Sequence, residues 1–446
     1  MDLSSRLRAI VKGGPPAPTR ELTYEPDDGY RNAAALDLDR VASTLGGRRI
    51  DTRFGECLVV DRRYESDRWH GGIRIGDCEL ADVAALAVLD PALAPMTSDW
   101  AAAHGGRAPR TIFIDLETTG LSGGAGMVAF LVGCGYFDLG AFQVRQFLLT
   151  SHSKERALLA ACADFFADAD LIVTYNGKTF DVPVMETRWL FHRMEPSLEE
   201  VPHFDMLHPA RRLWRHDENG CRLSTLERAL FDVRRIGDVP GLEIPSRFFR
   251  FVRSGDPCPL EAVLEHNRID LVSLAAVTAH AAQLVREGTP RCRDAAEALA
   301  LGKMYERAGY ADRAVGCFAH AVADATAHID VKAEALYLTA RRLRRDRRFA
   351  EAAAVWRTIL DLRQPRFGKR SELLGPLRQV AVEALAVHHE HRERDYTGAR
   401  ELALMLLEEA AQANLRPKAD ATRHRLARLE RKLSTRAVPL LDQLGR

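Results

Sequence analysis

An apolar run that ends in two carboxylates restricts the fold of this chain more than any other feature of its sequence. Residues 111–117 read Thr-Ile-Phe-Ile-Asp-Leu-Glu, which has the length and composition of a buried β-strand. Side chains at i and i+2 of a strand point to the same face, so Asp115 and Glu117 converge. Two carboxylates this close repel each other unless a proton or a cation lies between them, and such ligands favour Mg²⁺ or Mn²⁺. The pattern predicts either a metal site at a strand end or an ordinary pair of solvated acids.

A second apolar run, residues 171–175, ends in an Asn-Gly turn signal. It predicts a short buried strand, and the residues from about 179 to 194 predict a following helix. Asp181 would lie in the first turn of that helix, where the helix dipole favours an acid. Asp181 is therefore interpreted either as a further acid of the same site or as a capping carboxylate.

A third segment places a histidine and an acid on one helix face. A long amphipathic pattern runs from Pro259 to about Val285, and within it His266 and Asp270 are spaced i, i+4. Side chains at this spacing are neighbours on a helix surface. The pair is typical of a surface contact and is also suited to a site.

Taken together, these segments resemble the DEDD exonuclease superfamily of the ribonuclease H-like fold. The first is similar to its D-x-E-T motif, and Tyr175-Asn-Gly-Lys-Thr-Phe-Asp181 is similar to the Y-N-x3-F-D motif of family B DNA polymerase proofreading domains. The third segment supplies the last Asp. The resemblance extends to the YprB-type ribonuclease H-like proteins over roughly residues 45 to 286, through the segments 122–126, 129–133, 222–227, 238–241 and 265–267.

This resemblance implies a 3′–5′ exonuclease that hydrolyses single-stranded DNA or RNA with two divalent cations, Mg²⁺ or Mn²⁺. The implied metal ligands are Asp115, Glu117, Asp181 and Asp270. The implied substrate contacts, with Leu121 as an apolar wedge and Lys178 as a phosphate contact, are Thr118, Gly120, Leu121, Asn176, Lys178 and Phe180. By this resemblance His266 orients or deprotonates the attacking water.

The position of the histidine departs from the family pattern. Its ring precedes the final Asp by four residues, which is the spacing of the tyrosine subgroup, whereas Glu265 takes the five-before position of the histidine subgroup. A neutral His can accept a proton near pH 7. Its reach is shorter than that of a Tyr hydroxyl, so the role of His266 as the base stays open.

The pattern of elements predicts an α/β ribonuclease H-like mixed sheet for residues 108–288. Its predicted elements are strands 111–117, 128–138 and 142–149, helix 153–168, strand 171–176, helix 179–194 and strand 203–207. Asp205, in the last strand, is interpreted either as an acid that supports the site or as a strand-end carboxylate. A lead-in over residues 1–44 and a small β-rich segment over residues 45–100, with a helix from Leu80 to Leu89, are predicted to precede this core.

After Pro290 the sequence becomes rich in Ala and Leu and predicts an all-α domain over residues 292–446. Leu301, Gly302, Tyr305, Ala314 and Phe318 resemble the tetratricopeptide consensus, with weaker copies near Ala340–Trp356 and Tyr396–Leu406. We expect a solenoid of about three helical hairpins, with residues 419–446 as a cap. Simple helical packing is the alternative for each repeat. A protein partner is expected for such a surface.

Composition restricts the class of protein. The net charge of +1 gives no general attraction to nucleic acid, so phosphate binding would require a local patch. The Arg-rich run at residues 341–348 predicts such a patch or a solvated helix face. Eight Cys are scattered without a C-x-x-C pair, which is typical of buried thiols in a reducing cytoplasm. We expect a cytoplasmic protein without membrane association, because no segment has the length and hydrophobicity of a membrane span.

Two alternatives to the exonuclease stay open. A catalytically silent ribonuclease H-like domain would act with the solenoid as an adaptor for nucleic acid or protein. A structure-specific endonuclease would use the same metal ligands. The presence of four acids at metal-binding positions favours an enzyme.

Overall fold

A seven-stranded mixed β-sheet forms the centre of the first two thirds of the chain. The computed structural model describes residues 36–80, 83–104, 107–120, 126–195, 198, 200–214, 220–364, 370–412 and 416–437. Its strands are β1 (Arg48–Thr52), β2 (Gly55–Glu65), β3 (Trp69–His70), β4 (Ile73–Arg74), β5 (Thr111–Thr118), β6 (Ala129–Asp138), β7 (Ala141–Leu148), β8 (Leu171–Thr174) and β9 (His203–Asp205).

The strand order is β1-β2-β7-β6-β5-β8-β9, with β3 and β4 in a separate two-stranded sheet. β5 pairs antiparallel with β6 and parallel with β8, and β8 pairs parallel with β9. The pairs β6–β7, β7–β2 and β2–β1 are antiparallel. Three successive antiparallel strands followed by parallel strands that are reached through helices confirm the predicted ribonuclease H-like mixed sheet.

The N-terminal strands extend this sheet. β2 pairs with β7 from Leu58 opposite Leu148 to Glu65 opposite Ala141, so the segment predicted at residues 45–100 shares its main hydrogen bonds with the core. Residues 1–35 of the predicted lead-in lie outside the described residues. Most of a helix, Leu38–Leu45, belongs to the last part of the lead-in, and its Val41 and Leu45 are buried.

Helices cover both faces of the sheet. In this part of the chain they are α1 (Leu38–Leu45), α2 (Ala84–Leu89), α3 (Ala94–Ala103), α4 (Glu155–Phe166), α5 (Asp181–Phe191), α6 (Leu207–Trp214), α7 (Leu223–Phe231), α8 (Ile244–Ser254) and α9 (Cys258–Glu287). α2 begins at Ala84 rather than at the predicted Leu80, and residues 81–82 lie outside the described residues. Although α9 has 30 residues, none of the described helices combines the length and apolarity needed to cross a membrane.

Successive side chains of β5 point to opposite faces of the sheet and are buried in two different hydrophobic cores. Ile112, Ile114 and Leu116 are buried in one core with α4, α5 and α8. Phe113 is buried in the other, together with the second half of α9. Asp115 has the same parity as Phe113 and therefore lies on the face of the sheet that α9 covers.

The last third of the chain consists of helical hairpins. Its described helices are α10 (Ala295–Arg307), α11 (Ala311–Ala323), α12 (Ile329–Arg345), α13 (Phe349–Asp361), α14 (Leu374–His388), α15 (Tyr396–Gln412) and α16 (Arg416–Ala437). Phe318 and Trp356 are each 1% exposed, as expected for residues that fill the space between hairpins. The all-α prediction is confirmed, and its assignment to tetratricopeptide repeats stays a prediction.

The first hairpin and the sheet region share one hydrophobic core. Leu301, Met304 and Phe318 belong to the same buried cluster as Phe113. The Tyr305 hydroxyl donates to the backbone carbonyl of Val285 in α9 at 2.5 Å. A second link joins α6 to α10, where Trp214 Nε1 donates to the fully buried Glu297 at 2.6 Å.

A chain that ends at Gly288 should therefore be less stable than one that ends at Asp324, which retains α10 and α11. Truncation at Gly288 removes α10, which packs on α6 and α2, and so exposes the apolar surface of these helices. We expect the melting temperature to fall by about 5 °C or more relative to the longer chain, as measured by circular dichroism. Equal melting temperatures would show that the shared core contributes little.

Candidate active site

Two of the predicted acids lie on β5, and a third, at the start of α5, is hydrogen-bonded to this strand. Asp115 and Glu117 alternate with the buried Ile114 and Leu116, so both carboxylates project from one face. Asp181 is the first residue of α5 and is 7% exposed. Its Oδ1 accepts a hydrogen bond from the backbone N–H of Leu116 at 3.1 Å. This bond brings the second predicted motif against the first.

Asn267 joins α9 to the end of β5. Its Nδ2 donates to Asp115 Oδ2 at 2.8 Å and to the Asp115 carbonyl at 3.1 Å, and its Oδ1 accepts from Gln146 Nε2 at 2.7 Å. Asn267 is fully buried. Gly133 lies opposite Asp115 on β6, and a Cβ there would lie 2.1 Å from Asn267 Oδ1. The absence of a side chain at Gly133 is what allows α9 to approach the sheet this closely.

His266 and Asp270 project from α9 toward the same cluster. His266 Nε2 lies 3.4 Å from Asp270 Oδ2 and 4.0 Å from Glu117 Oε1. Its Nδ1 lies 2.6 Å from Asp238 Oδ1. An ionised carboxylate can only accept, so Nδ1 carries the proton of this bond. Burial raises the pKa of Asp238, but the His266 hydrogen bond and the nearby charge of Arg235 hold that pKa below its ordinary value.

Arg235 holds the fourth predicted ligand. Its Nη2 donates to Asp270 Oδ1 at 2.5 Å, and its Nη1 lies 3.3 Å from Asp238 Oδ2. The guanidinium is fixed by Glu227, which is 1% exposed and accepts from Nε at 2.5 Å and from Nη2 at 2.9 Å. Such a bidentate contact fixes the orientation of an Arg more strictly than a single bond. Arg235 therefore sets the position of one Asp270 oxygen.

The N-terminal segment reaches this network through a hydroxyl group. Ser273 Oγ on α9 donates to Glu227 and lies 2.8 Å from His70 Nε2 on β3. Burial lowers the pKa of His70 to about 4, and the positive charge of Arg235 acts in the same direction. His70 is therefore neutral at pH 7. This link gives the β3–β4 hairpin a direct contact with the groups that support the site.

Burial and mutual repulsion dominate the electrostatics of the acids. Burial raises the pKa of Asp115 well above its usual range, and the charges of Asp270, Glu117 and Asp181 raise it further. Burial likewise raises the pKa of Glu117, with added repulsion from Asp270 and Asp181. Burial raises the pKa of Asp181 to about 7, partly opposed by the hydrogen bond from Leu116. These acids cannot all ionise near neutral pH without compensating positive charge.

This donor set fits divalent cations. Four carboxylates supply the hard oxygen ligands that Mg²⁺ and Mn²⁺ prefer, and their repulsion is relieved by added positive charge. The oxygen atoms of these four carboxylates are farther apart than the ligand atoms of a compact metal site. In the part of the chain that the structure describes, only His389, Glu393 and Asp395 bring three ligand atoms within 4.8 Å of one another. A wider spacing is compatible with two cations about 3.5–4 Å apart.

Asp205 shapes the loop that follows β8. It is 1% exposed, and its carboxylate accepts from the backbone N–H groups of Asn176 at 2.8 Å, Lys178 at 3.1 Å and Leu207 at 3.1 Å. Asn176 has a φ of +72°. The backbone turns toward Asp205 here, so β8 ends at Thr174 and α5 begins at Asp181, inside the predicted limits. Asp205 therefore organises the loop next to the site. Whether it is also an acid that supports the site, rather than a strand-end carboxylate, stays a prediction.

The predicted substrate contacts on this loop have different surroundings. Asn176 Oδ1 accepts from the Thr179 hydroxyl at 2.9 Å. Lys178 Nζ lies 2.9 Å from Asp90 Oδ2, so its charge is already paired in this structure. Phe180 is partly buried against the core that contains Leu116. A phosphate would have to compete with Asp90 for Lys178.

The predicted contacts after β5 are described only in part. Thr118 is 5% exposed, and its hydroxyl donates to the Gly120 carbonyl at 2.7 Å. A β-bulge at Glu117–Thr118 shifts the register there. Leu121 and the loop that follows lie outside the described residues. The apolar wedge therefore stays a prediction.

Sequence reasoning missed the roles of Asn267, Arg235 and Glu227. Signals for two of them were present. Asn267 shares the apolar face of α9 with Leu264 and Leu271, and Glu227 lies on the buried face of α7. A polar residue at a core position requires a buried partner. Nothing in the sequence indicates that Arg235 is this partner of Glu227.

Replacing Arg235 with Ala should destabilise the protein and disturb the site together. The change leaves the buried Glu227 charge without its bidentate partner and releases Asp270. We expect a loss of about 3–5 kcal/mol in the free energy of unfolding, measured by denaturant titration.

Arg234 is the matched control for this change, because its pair with Asp232 is exposed, with side chains 78% and 74% accessible. Arg234→Ala should change stability by less than about 0.5 kcal/mol. A combined Glu227→Leu and Arg235→Met variant should recover stability but not the orientation of Asp270. Equal stability of the Arg235→Ala and Arg234→Ala proteins would contradict the assigned role.

The stability of the cation-free protein should fall as pH rises from about 4 to 7. The pKa of Asp181 increases from 3.8 to about 7 on folding, so the folded state binds more protons than the unfolded state in this window. We expect a decrease of about 1–4 kcal/mol, measured by urea unfolding in a chelator at pH 5 and pH 8. Added Mn²⁺ should stabilise the protein more at pH 8 than at pH 5, because protons compete with the cation.

Asp181→Asn removes this titration and should weaken the pH dependence, which Asp115 and Glu117 also contribute to. Asp138→Asn, at the exposed end of β6, is the control and should leave it unchanged. A cation-free protein whose stability rises steadily between pH 5 and pH 8 would refute the assigned direction.

Comparisons with known proteins show the family to which the chain belongs. Residues 112–282, which include all four candidate metal ligands, match the RNase H superfamily. The chain is 32% identical over 327 residues to the uncharacterized protein YprB of Bacillus subtilis (strain 168), covering 72% of this chain and 75% of that protein. A family B DNA polymerase from the hyperthermophilic archaeon Pyrobaculum calidifontis is 14% identical, with a TM-score of 0.32 over 45% of this chain and 29% of the polymerase chain. The chain belongs to the YprB family of ribonuclease H-like proteins.

Proposed function

We propose that this protein is a 3′–5′ exonuclease that hydrolyses phosphodiester bonds of single-stranded nucleic acid. One observation carries the proposal: acids from three separate segments meet at the end of β5, where Asp181 is bonded to Leu116 and Asn267 to Asp115. A ribonuclease H-like domain indicates a nuclease-type hydrolase. The direction of cleavage rests on the resemblance to the DEDD superfamily.

In this proposal Asp115, Glu117, Asp181 and Asp270 hold two divalent cations, Mg²⁺ or Mn²⁺. When bound, such cations stabilise the attacking and leaving oxygens of an in-line displacement. Arg235 presents Asp270 to the cluster by holding its other oxygen. Asn267 holds Asp115 in the same way through its Oδ2.

His266 is proposed to position or deprotonate the attacking water. Asp238 fixes the proton on Nδ1, which leaves the lone pair on Nε2 facing Glu117 and Asp270. A carboxylate behind a histidine orients the ring and raises its basicity. The shorter reach of the ring, relative to a Tyr hydroxyl, is compensated only if the water lies close to α9.

The proposed substrate is a single-stranded 3′ end. Backbone groups of Thr118 to Gly120 and the side chains of Asn176, Phe180 and Leu121 are proposed to contact the terminal nucleotide. Lys178 is proposed to contact a phosphate after exchanging its partner Asp90. Selection between DNA and RNA would depend on a contact to the 2′-hydroxyl.

The adaptor alternative has one observation in its favour. Asp270 already has a positively charged partner in Arg235, which reduces its need for a cation. A silent domain would keep this ion pair as a structural element. Activity measurements on the same preparation separate the two possibilities.

The test is cleavage of 5′-end-labelled single-stranded DNA and RNA by the full-length protein with Mn²⁺ or Mg²⁺. We expect a ladder that shortens from the 3′ end and disappears in a chelator. Asp115→Ala should reduce the rate by at least about 10³-fold while the protein stays folded, because one of the proposed cation ligands is lost.

Asp138→Ala is the matched control, since this acid lies at the opposite end of the sheet and is exposed. It should retain full activity. Cleavage by Asp115→Ala at the wild-type rate would reject the proposed site. Absence of cleavage with either metal, in a folded protein, would favour the adaptor.

A further inference from the structure

A cleft between two helices of the C-terminal region has the dimensions of a ligand site. It consists of two adjoining cavities of about 480 and 510 Å³, which share Phe349, His388 and Arg392. Cavities that bind small ligands or side-chain anchors commonly measure about 300–1,000 Å³. We call this feature the α13–α14 cleft, and its apolar floor consists of Ala352, Ala353, Trp356, Ala384 and Val387.

The rim of the cleft carries positive charge that the rest of the described chain does not neutralise. Arg344 and Arg392 line the first cavity, and Arg347 lines the second. Two carboxylates also line the second cavity, and both are already paired, Glu351 with Arg348 and Glu393 with Arg357. In the described residues none of these three has a carboxylate within the 4.0 Å that defines an ion pair. Arg348, by contrast, is paired with Glu351 at 2.6 Å. The rim therefore presents three guanidinium groups for an external anion.

Five of the six arginines in the Arg-rich run divide into two groups in the structure, and the sixth, Arg341, contacts the Tyr337 ring. Arg342, Arg345 and Arg348 are paired with Asp346, Glu306 and Glu351. Arg344 and Arg347 face the cleft. Neither a uniform phosphate-binding patch nor a simple solvated face describes this run.

The floor of the cleft contains an unsatisfied donor. Trp356 is 1% exposed, and its Nε1 has no hydrogen-bond partner among the described residues. Buried Trp N–H groups usually have an acceptor. Trp356 also lines the first cavity.

The shape of the floor favours a peptide over a nucleic acid. Binding of unpaired bases relies on exposed aromatic faces. Here Trp356 is buried, and the Phe349 ring is covered by Arg392, whose guanidinium carbon lies 3.8 Å from the ring centroid. The small side chains of Ala353 and Ala384 leave space for one branched or aromatic side chain between α13 and α14.

We infer that the α13–α14 cleft binds an acidic peptide segment of a partner protein. One apolar side chain of the peptide occupies the alanine floor, and its flanking carboxylates contact Arg344, Arg347 and Arg392. This arrangement joins an apolar anchor to complementary charge, as peptide-binding grooves commonly do. The inference does not depend on the proposed nuclease activity.

The test uses fluorescein-labelled peptides of about twelve residues and the full-length protein, with anisotropy as the readout. Each peptide has a central Leu or Phe flanked by Glu and Asp. Two comparison sets replace the central residue with Ala or all acids with Gln and Asn. We expect saturable binding of the acidic anchored peptides and at least about tenfold weaker binding of both comparison sets.

Charge reversal identifies the surface. Arg344→Glu combined with Arg392→Glu should weaken binding at least about tenfold, and Arg347→Glu alone should weaken it less. Arg341→Glu is the matched control, because Arg341 belongs to the same run but contacts Tyr337 outside the cleft. It should bind like the wild type. Melting curves of all variants establish that they are folded.

Three outcomes would overturn the inference. The first is no binding of any anchored acidic peptide. The second is equal binding by the wild type and the reversed variants. The third is preferential binding of an oligothymidylate of equal charge that is lost in the same variants, which would assign the cleft to nucleic acid.

Discussion

Repulsion among the carboxylates at the end of β5 is the interaction on which the arrangement of this site depends. Left alone, acids this close would turn away from one another toward solvent. Fixed donors prevent this: the Asn267 amide holds Asp115, the Leu116 N–H holds Asp181 and the Arg235 guanidinium holds Asp270. Each donor belongs to an element that packs on the sheet. The fold therefore holds these negative charges close together, and added positive charge would relieve their repulsion.

The strands and the long helix were predictable because their signals are local. Alternation of apolar and acidic residues defines β5, and the amphipathic pattern after Pro259 defines α9. The pairing of β2 with β7 was not predictable, because it joins residues from 76 positions (Glu65 with Ala141) to 90 positions (Leu58 with Leu148) apart and depends on register. The early end of β8 was not predictable for a related reason, since the acceptor that turns the chain at Asn176 is Asp205, 29 residues later.

The candidate site shows the same difference between local sequence signals and contacts between distant residues. The resemblance named the acids and His266, and the structure brings these residues together at one sheet end. The supporting residues were harder to recognise because their roles arise from pairs that are distant in sequence: Asn267 with Asp115, and Glu227 with Arg235. A buried polar residue on an apolar helix face indicates that a partner exists, but it does not identify that partner. Two of the unpaired arginines of the α13–α14 cleft, Arg344 and Arg347, were likewise invisible in a run where every second Arg is paired with a carboxylate.

The Asp205 carboxylate has a consequence for the thermodynamics of binding. The backbone N–H groups of Asn176 and Lys178 in the loop after β8, and that of Leu207 after β9, are hydrogen-bonded to it. The loop after β8 therefore has its shape before any ligand arrives. The conformational entropy of ordering these residues is lost during folding and does not oppose association. A rigid loop of this kind selects ligands by shape rather than by adapting to them. In the proposed nuclease, the range of terminal nucleotides that the loop accepts would then be limited by the geometry of Asp205, although this acid is itself buried.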